Sequence, residues 1–271
     1  MKLLEFRKLS VCVCVSLAAL FSVSMAYGQN QNSNTSSADS SATSGKPKDI
    51  VTRAKLHTEL GALYFQSGNL IVALEELTIA TSINPDYAPA YSTRGLVLYY
   101  IKELASAESD FKRALEIAEN DPEINNNYGW FLCQTGKERE SLPYFDKAMK
   151  NPLYQTPALA YLNAGACYIK LGELDTAEEH IRKSLRLMPE NPQALFQLAK
   201  ILYQRGNFDG AREYLKNVTR TGDPSAEVLW LYLRVERRLG DNSTESSLAA
   251  QLRRKYPDSP EYQELLRGNF E

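Results

Sequence analysis

The segment from Tyr161 to Pro189, YLNAGACYIKLGELDTAEEHIRKSLRLMP, recurs along the chain with its small residues held in register, and this repetition constrains the fold more than any other feature. It reads as two helices joined by a turn. Ala164 and Gly165 let two helices approach closely, Tyr168 fills the space beside them, and Gly172 suits a left-handed helix end. Ala177 and Ile181 continue an apolar face at four-residue spacing, and Pro189 stops the second helix. One such hairpin cannot bury its apolar face, whereas stacked copies can.

The turn position is found at Gly68, Lys102, Gly136, Gly172, Gly206 and Gly240, in steps of 34, 34, 36, 34 and 34 residues, which makes six units. The same ruler places Gly61, Gly95, Gly129, Gly165 and Ala199 in the first helices. In the second helices it places Ala73, Ala107, Ser141, Ala177 and Ala211, with Leu77, Phe111, Phe145, Ile181 and Leu215 four residues later. The last unit has Leu233 in place of the small residue and Glu245 in place of alanine, as expected of a terminal cap with one neighbour. The pattern resembles the tetratricopeptide repeat, whose period is 34 and whose framework is W-x2-L-G-x2-Y, then A-x3-F, then P. That resemblance implies an all-α fold, a right-handed superhelical solenoid of six helical hairpins. The repeats are expected at about 54–87, 88–121, 122–157, 158–191, 192–225 and 226–262 within a domain of residues 51–271.

Residues 1–28 differ from everything after them: Lys2, Arg7 and Lys8 precede an apolar stretch from Leu9 to Phe21, and Ala26-Tyr27-Gly28 ends it. This is the form of a secretory signal peptide, the rival reading being an uncleaved membrane anchor. Residues 29–50 are read as a polar linker, since Gln29 to Lys48 is too poor in apolar side chains to repay the entropy of ordering. Net charge is -2, which gives no push toward nucleic acid.

Removal of the leader takes Cys12 and Cys14 with it and leaves Cys133 and Cys167. These stand at the twelfth and tenth positions of consecutive first helices, so their thiols face one another across the junction of the third and fourth repeats. A disulfide in an oxidising compartment and two separately buried small hydrophobes are both open.

The chain holds two histidines, His57 and His180, and neither a metal-binding His or Cys motif, a Walker loop, a dinucleotide fingerprint nor a Gly-x-Ser-x-Gly elbow. The expectation is a non-enzymatic protein without cofactor, metal or small-molecule substrate. Function is then sought on the first helices, which line the concave side of stacked hairpins. The candidate protein-binding residues are Phe65, Leu96, Tyr99, Tyr100, Asn126, Trp130, Phe196 and Tyr203, with Trp230, Arg234, Arg237 and Arg238 making the sixth repeat basic. Aromatic side chains there suit an apolar trough for a partner segment; the alternative is that about half of them are inter-repeat core. Asn125-Asn126-Asn127 reads either as a polar recognition patch or as helix-start capping.

NNNYGWFLCQTGKERESLPYFDKAM from Asn125, TPALAYLNAGACY from Thr156 and LRRKYPDSPEYQELL from Leu252 resemble the type IV pilus biogenesis and stability protein family, PilF/PilW, over about Val51 to Leu266. The resemblance implies a periplasmic pilotin that helps the pilus secretin localise or multimerise in the outer membrane. This chain has no cysteine directly after its leader, so a soluble periplasmic factor is expected, with membrane contact indirect or through an uncleaved leader. A general periplasmic scaffold in cell-envelope assembly would share the same physical features.

Overall fold

The computed structural model describes residues 47–270; the signal peptide and nearly all of the linker lie outside them. Among the described residues there are thirteen helices and no strand. The chain divides between Ala118 and Glu119 into two compact units.

The first unit holds two antiparallel hairpins, α1 (Pro47–Gln66) with α2 (Leu70–Ile83) and α3 (Ala88–Tyr100) with α4 (Leu104–Ile117). Helix α1 begins at Pro47, inside the stretch read as linker. Proline at the first helical position leaves no donor unsatisfied, and Asp49 in the first turn favours the positive end of the helix dipole, so the polar composition did not prevent a start here.

The second unit holds four hairpins: α5 (Pro122–Gln134) with α6 (Glu138–Lys150), α7 (Pro157–Lys170) with α8 (Leu174–Leu187), α9 (Pro192–Gln204) with α10 (Phe208–Thr221), and α11 (Ala226–Leu239) with α12 (Asn242–Lys255). A short helix, α13 (Pro260–Arg267), packs against α11 and α12. Its start at Pro260 falls inside the sixth repeat expected at 226–262. Its own start signals are local: the Ser259 hydroxyl accepts from the Tyr262 amide at 3.1 Å, and Pro260 takes the first helical position.

The six turn positions named from the repeat arithmetic are all left-handed, with φ of 80° at Gly68, 71° at Lys102, 82° at Gly136, 77° at Gly172, 74° at Gly206 and 78° at Gly240. Each lets the next amide reach back to the last turn of the helix, as Asn69 does to Tyr64 O at 2.9 Å and Glu173 to Tyr168 O at 2.9 Å. Glycine adopts that conformation without a Cβ clash; at Lys102 a side chain bears it.

In the four hairpins whose first helix carries glycine at this position, that glycine meets the large apolar residue of the second helix. A Cβ built on Gly61 would lie 2.6 Å from Leu77 Cγ, one on Gly95 3.0 Å from the Phe111 ring, and one on Gly129 3.0 Å from the Phe145 ring. Leu77, Phe111, Phe145, Ile181 and Leu215 are fully buried. Leu233, large where the other copies are small, is also fully buried. Glu245, in place of alanine, is paired with Arg237 at 3.0 Å.

Polar side chains fasten the elements. In the first unit Arg94 on α3 donates to both carboxylate oxygens of Asp110 on α4, at 2.7 and 2.8 Å, and to the Thr81 hydroxyl on α2 at 2.8 Å. In the second, Arg212 on α10 forms a two-pronged pair with Glu236 on α11, whose carboxylate is almost wholly buried. Arg205 bridges Asp175 and Glu178 of the preceding hairpin, so Glu178 is part of an inter-repeat ion network rather than a freely solvated acid.

Candidate protein-binding surface

In the first unit three aromatic residues of α1 and α3 form one contiguous group. Phe65 lies 5.3 Å from Tyr100, and Tyr100 lies 5.4 Å from Tyr99 in an edge-on arrangement. Phe65 is fully buried, packed with Ala73, Leu77 and Val97. It is core, and its placement in the groove is corrected. The reason is that a residue near the end of α1 faces both its partner helix α2 and the next hairpin, where the Tyr100 ring packs on it. Leu96, Tyr99 and Tyr100 keep partial exposure. Burial, and secondarily Tyr99, pushes the Tyr100 phenol up, so it is a neutral hydroxyl at any physiological pH. Lys102 holds its ammonium 5.3 Å above the Tyr99 ring, which puts a cation at the edge of this aromatic surface.

In the second unit Asn126 is also removed from the surface. It is 4% exposed, and its side-chain carbonyl accepts from Asn163 on α7 at 3.0 Å. Asn125, fully buried, donates to the carbonyls of Glu119 and Asp121 at 2.8 and 2.7 Å. The first two asparagines of the run therefore tie down the start of α5 and join two first helices. Trp130 is partly buried and packs on the cluster of Cys133, Phe145, Ala164 and Cys167. Phe196 is partly buried beneath the Lys200 ammonium at 5.8 Å. Tyr203, likewise partly buried, lies 5.4 Å from Phe208 and is capped by the Arg234 guanidinium at 4.7 Å.

Cys133 on α5 and Cys167 on α7 are joined as a disulfide, with Cα atoms 5.9 Å apart. Lys170 Nζ, one turn beyond, donates to the Cys133 carbonyl at 2.9 Å and to Gln134 Oε1 at 3.1 Å, spanning the same helix pair.

The basic end of the surface was legible only in part. Trp230, Arg234, Arg237 and Arg238 are expected from sequence at this end, but the segment that lies on the first three is not. Gly268, left-handed with φ 68°, ends α13 and turns the chain so that Phe270 rests on α11. The Phe270 ring is 5.5 Å from Trp230 and 3.5 Å from the Arg237 guanidinium, and its carbonyl accepts from Arg234 Nε at 3.1 Å. No periodic signal announces such a contact.

His57 Nδ1 stands 2.7 Å from Glu76 Oε2, and His180 Nδ1 2.9 Å from the Thr176 carbonyl. Among the described residues no group of three or more His, Cys, Asp or Glu is arranged to hold a metal. None of the described helices is long and apolar enough to cross a membrane.

Repeated helical hairpins with aromatic and cationic side chains on their first helices define a tetratricopeptide-repeat protein, and residues 88–121 and 168–232 each match the family described as "Tetratricopeptide repeat". The type IV pilus assembly protein PilF of Pseudomonas aeruginosa is 30% identical over 209 residues, covering 77% of this chain and 83% of that protein. The chain therefore belongs to the PilF family of type IV pilus proteins. A solved PilW, described as a widely conserved type IV pilus biogenesis factor, is 33% identical with a TM-score of 0.71, over 79% of this chain and 98% of that one. The solved P. aeruginosa PilF is 28% identical with a TM-score of 0.71, over 81% of this chain and 99% of that one. These likenesses bear out the expected tetratricopeptide solenoid fold.

Proposed function

We propose that this protein is a non-enzymatic binding scaffold of type IV pilus biogenesis that acts as a pilotin, assisting localisation and multimerisation of the pilus secretin from the periplasm at the outer membrane. The observation that carries the reading is its kinship with PilF over most of both chains. The surface chemistry supports it: partly exposed Leu96, Tyr99 and Tyr100 on one unit, and Trp130, Phe196 and Tyr203 on the other, are side chains of the kind that carry binding energy in protein interfaces. A disulfide between Cys133 and Cys167 fits an oxidising compartment. The leader and polar linker, as read from sequence, would deliver a soluble domain there.

The test is intact mass of the protein from separated periplasmic and membrane fractions, together with secretin multimers scored in cells lacking it. A cleaved, unlipidated periplasmic species whose loss removes the multimers is expected. Unchanged multimers would favour a general periplasmic scaffold in envelope assembly, and an acylated membrane species would overturn the soluble form of the proposal.

A further inference from the structure

The second unit carries a layered array of arginines and aromatic rings on α9, α10, α11 and the segment that follows α13. Arg234 lies 4.7 Å above Tyr203, Arg238 lies 4.5 Å above Phe208, and Arg237 lies 3.5 Å above Phe270. Of the three arginines only Arg237 has a carboxylate partner among the described residues, Glu245 at 3.0 Å. Among the described residues Arg234 and Arg238 are thus held by ring faces without a carboxylate beside them, a setting in which a guanidinium can attract an anion.

One position in this array is filled by the chain's own tail. Phe270 contributes a ring to Trp230 and Arg237 and a backbone carbonyl to Arg234 Nε. Those are the contacts an extended peptide makes: one aromatic side chain in an apolar seat and one main-chain acceptor on a fixed donor. The tail reaches the seat by the left-handed Gly268, the Gly268 amide bonding to Leu265 O at 3.1 Å and the Asn269 amide to Glu264 O at 3.1 Å. In sequence the tail reads Gly268-Asn269-Phe270-Glu271, an aromatic residue followed by an acid.

We propose that the Trp230, Arg234 and Arg237 face is a binding site for an extended partner segment carrying an aromatic side chain beside a carboxylate, and that Phe270 is its built-in competitor. A tethered occupant holds the seat when no partner is present and keeps the indole and guanidinium planes ordered. A partner must displace it, so the site responds to segments that add a carboxylate contact on Arg234 or Arg238. This site belongs to the second unit and the Tyr99 and Tyr100 surface to the first. It stands whether or not the pilus reading holds.

The test uses the full chain and a fluorescent, C-terminally amidated peptide of sequence RGNFE, read by anisotropy. The Phe270→Ala protein is expected to bind it at least ten-fold more tightly than the unmodified protein. RGNAE and RGNFQ should each bind at least five-fold more weakly than RGNFE, and Arg234→Ala added to Phe270→Ala should remove the gain. Phe270→Leu keeps an apolar plug and should fall between, which keeps the comparison readable if the alanine variant does not fold. Equal affinity for all proteins, or no loss with RGNAE, would overturn the proposal and leave Phe270 a simple cap. Concentration-dependent dimerisation that depends on Phe270 would also overturn it, by showing that the occupant is the tail of a second copy.

Discussion

Gly165 on α7 lies so close to Ile181 on α8 that a Cβ on the glycine would stand 2.6 Å from Ile181 Cγ1 and 3.2 Å from the Ala177 carbonyl oxygen. Ile181 is fully buried, so it has no free volume into which to retreat. Gly165→Ala gains about 1 kcal/mol of helix propensity and loses about 1–3 kcal/mol to overpacking. A net loss of up to about 2 kcal/mol is expected in denaturant unfolding. Adding Ile181→Ala should give a double variant more stable than the sum of the two single losses, by at least about 1 kcal/mol. Strict additivity would show that the two residues do not compete for the same space.

Lys102 is the one described non-glycine residue with positive φ, at a position where five other repeats place glycine. The left-handed conformation costs an L-residue about 1–2 kcal/mol, against which the cation above Tyr99 returns about 0.5–1 kcal/mol. Lys102→Gly should therefore stabilise by about 0.5–1 kcal/mol, with Lys102→Asn intermediate. A fall in the unfolding midpoint for the glycine variant would refute this balance.

The Arg212–Glu236 pair fastens α10 to α11 with the carboxylate inside the protein. Arg212→Ala leaves that charge buried without its partner and should cost about 3–5 kcal/mol. Replacing both groups, as Arg212→Met with Glu236→Leu, should recover most of the loss, because no charge is then left uncompensated. Double-mutant unfolding measurements read the coupling directly. Equal instability of the single and double variants would mean the pair is needed for more than neutralisation.

The bond between Cys133 and Cys167 closes a loop of 34 residues of sequence separation. In the chain-entropy account a loop of that size is worth about 3–4 kcal/mol. Protein spanning residues 47–271, denatured without reductant, should show no free thiol by alkylation and mass measurement. Cys133→Ala with Cys167→Ala should lower the unfolding free energy by about that amount. Two alkylated cysteines would mean that they are separate buried residues in the isolated protein.

Tyr99 and Phe65 belong to the same aromatic group yet should behave oppositely. If the protein acts as the proposed pilotin, Tyr99→Ala, which removes a partly exposed ring, should weaken binding to the pilus secretin about ten-fold or more, with only a small melting shift. Trp130→Ala should act in the same direction. Phe65→Ala empties a fully buried site and should cost about 3–5 kcal/mol of stability. Parallel binding titrations and thermal melts separate these outcomes. A melting loss for Tyr99→Ala as large as that for Phe65→Ala would place Tyr99 in the core.

The period alone placed the six turns, because a left-handed residue must follow each first helix at the same offset, and it did so even at Lys102. It also paired Gly165 with Ile181 and Gly129 with Phe145, since close helix approach needs a missing Cβ opposite a bulky side chain. It set Cys133 and Cys167 on facing sides of consecutive first helices, where the structure joins them. What the sequence could not assign was exposure within the first helices. Phe65 and Asn126 stand at first-helix positions that the period leaves ambiguous, and contact with the next hairpin, through Tyr100 and Asn163, buries them. The eight-residue α13 has too few positions to show a period, and the path from Gly268 to Phe270 depends on one left-handed residue and on a seat built from α11. Local repetition was thus determined by sequence spacing, while the division between core and binding surface was decided by packing between elements far apart in the chain.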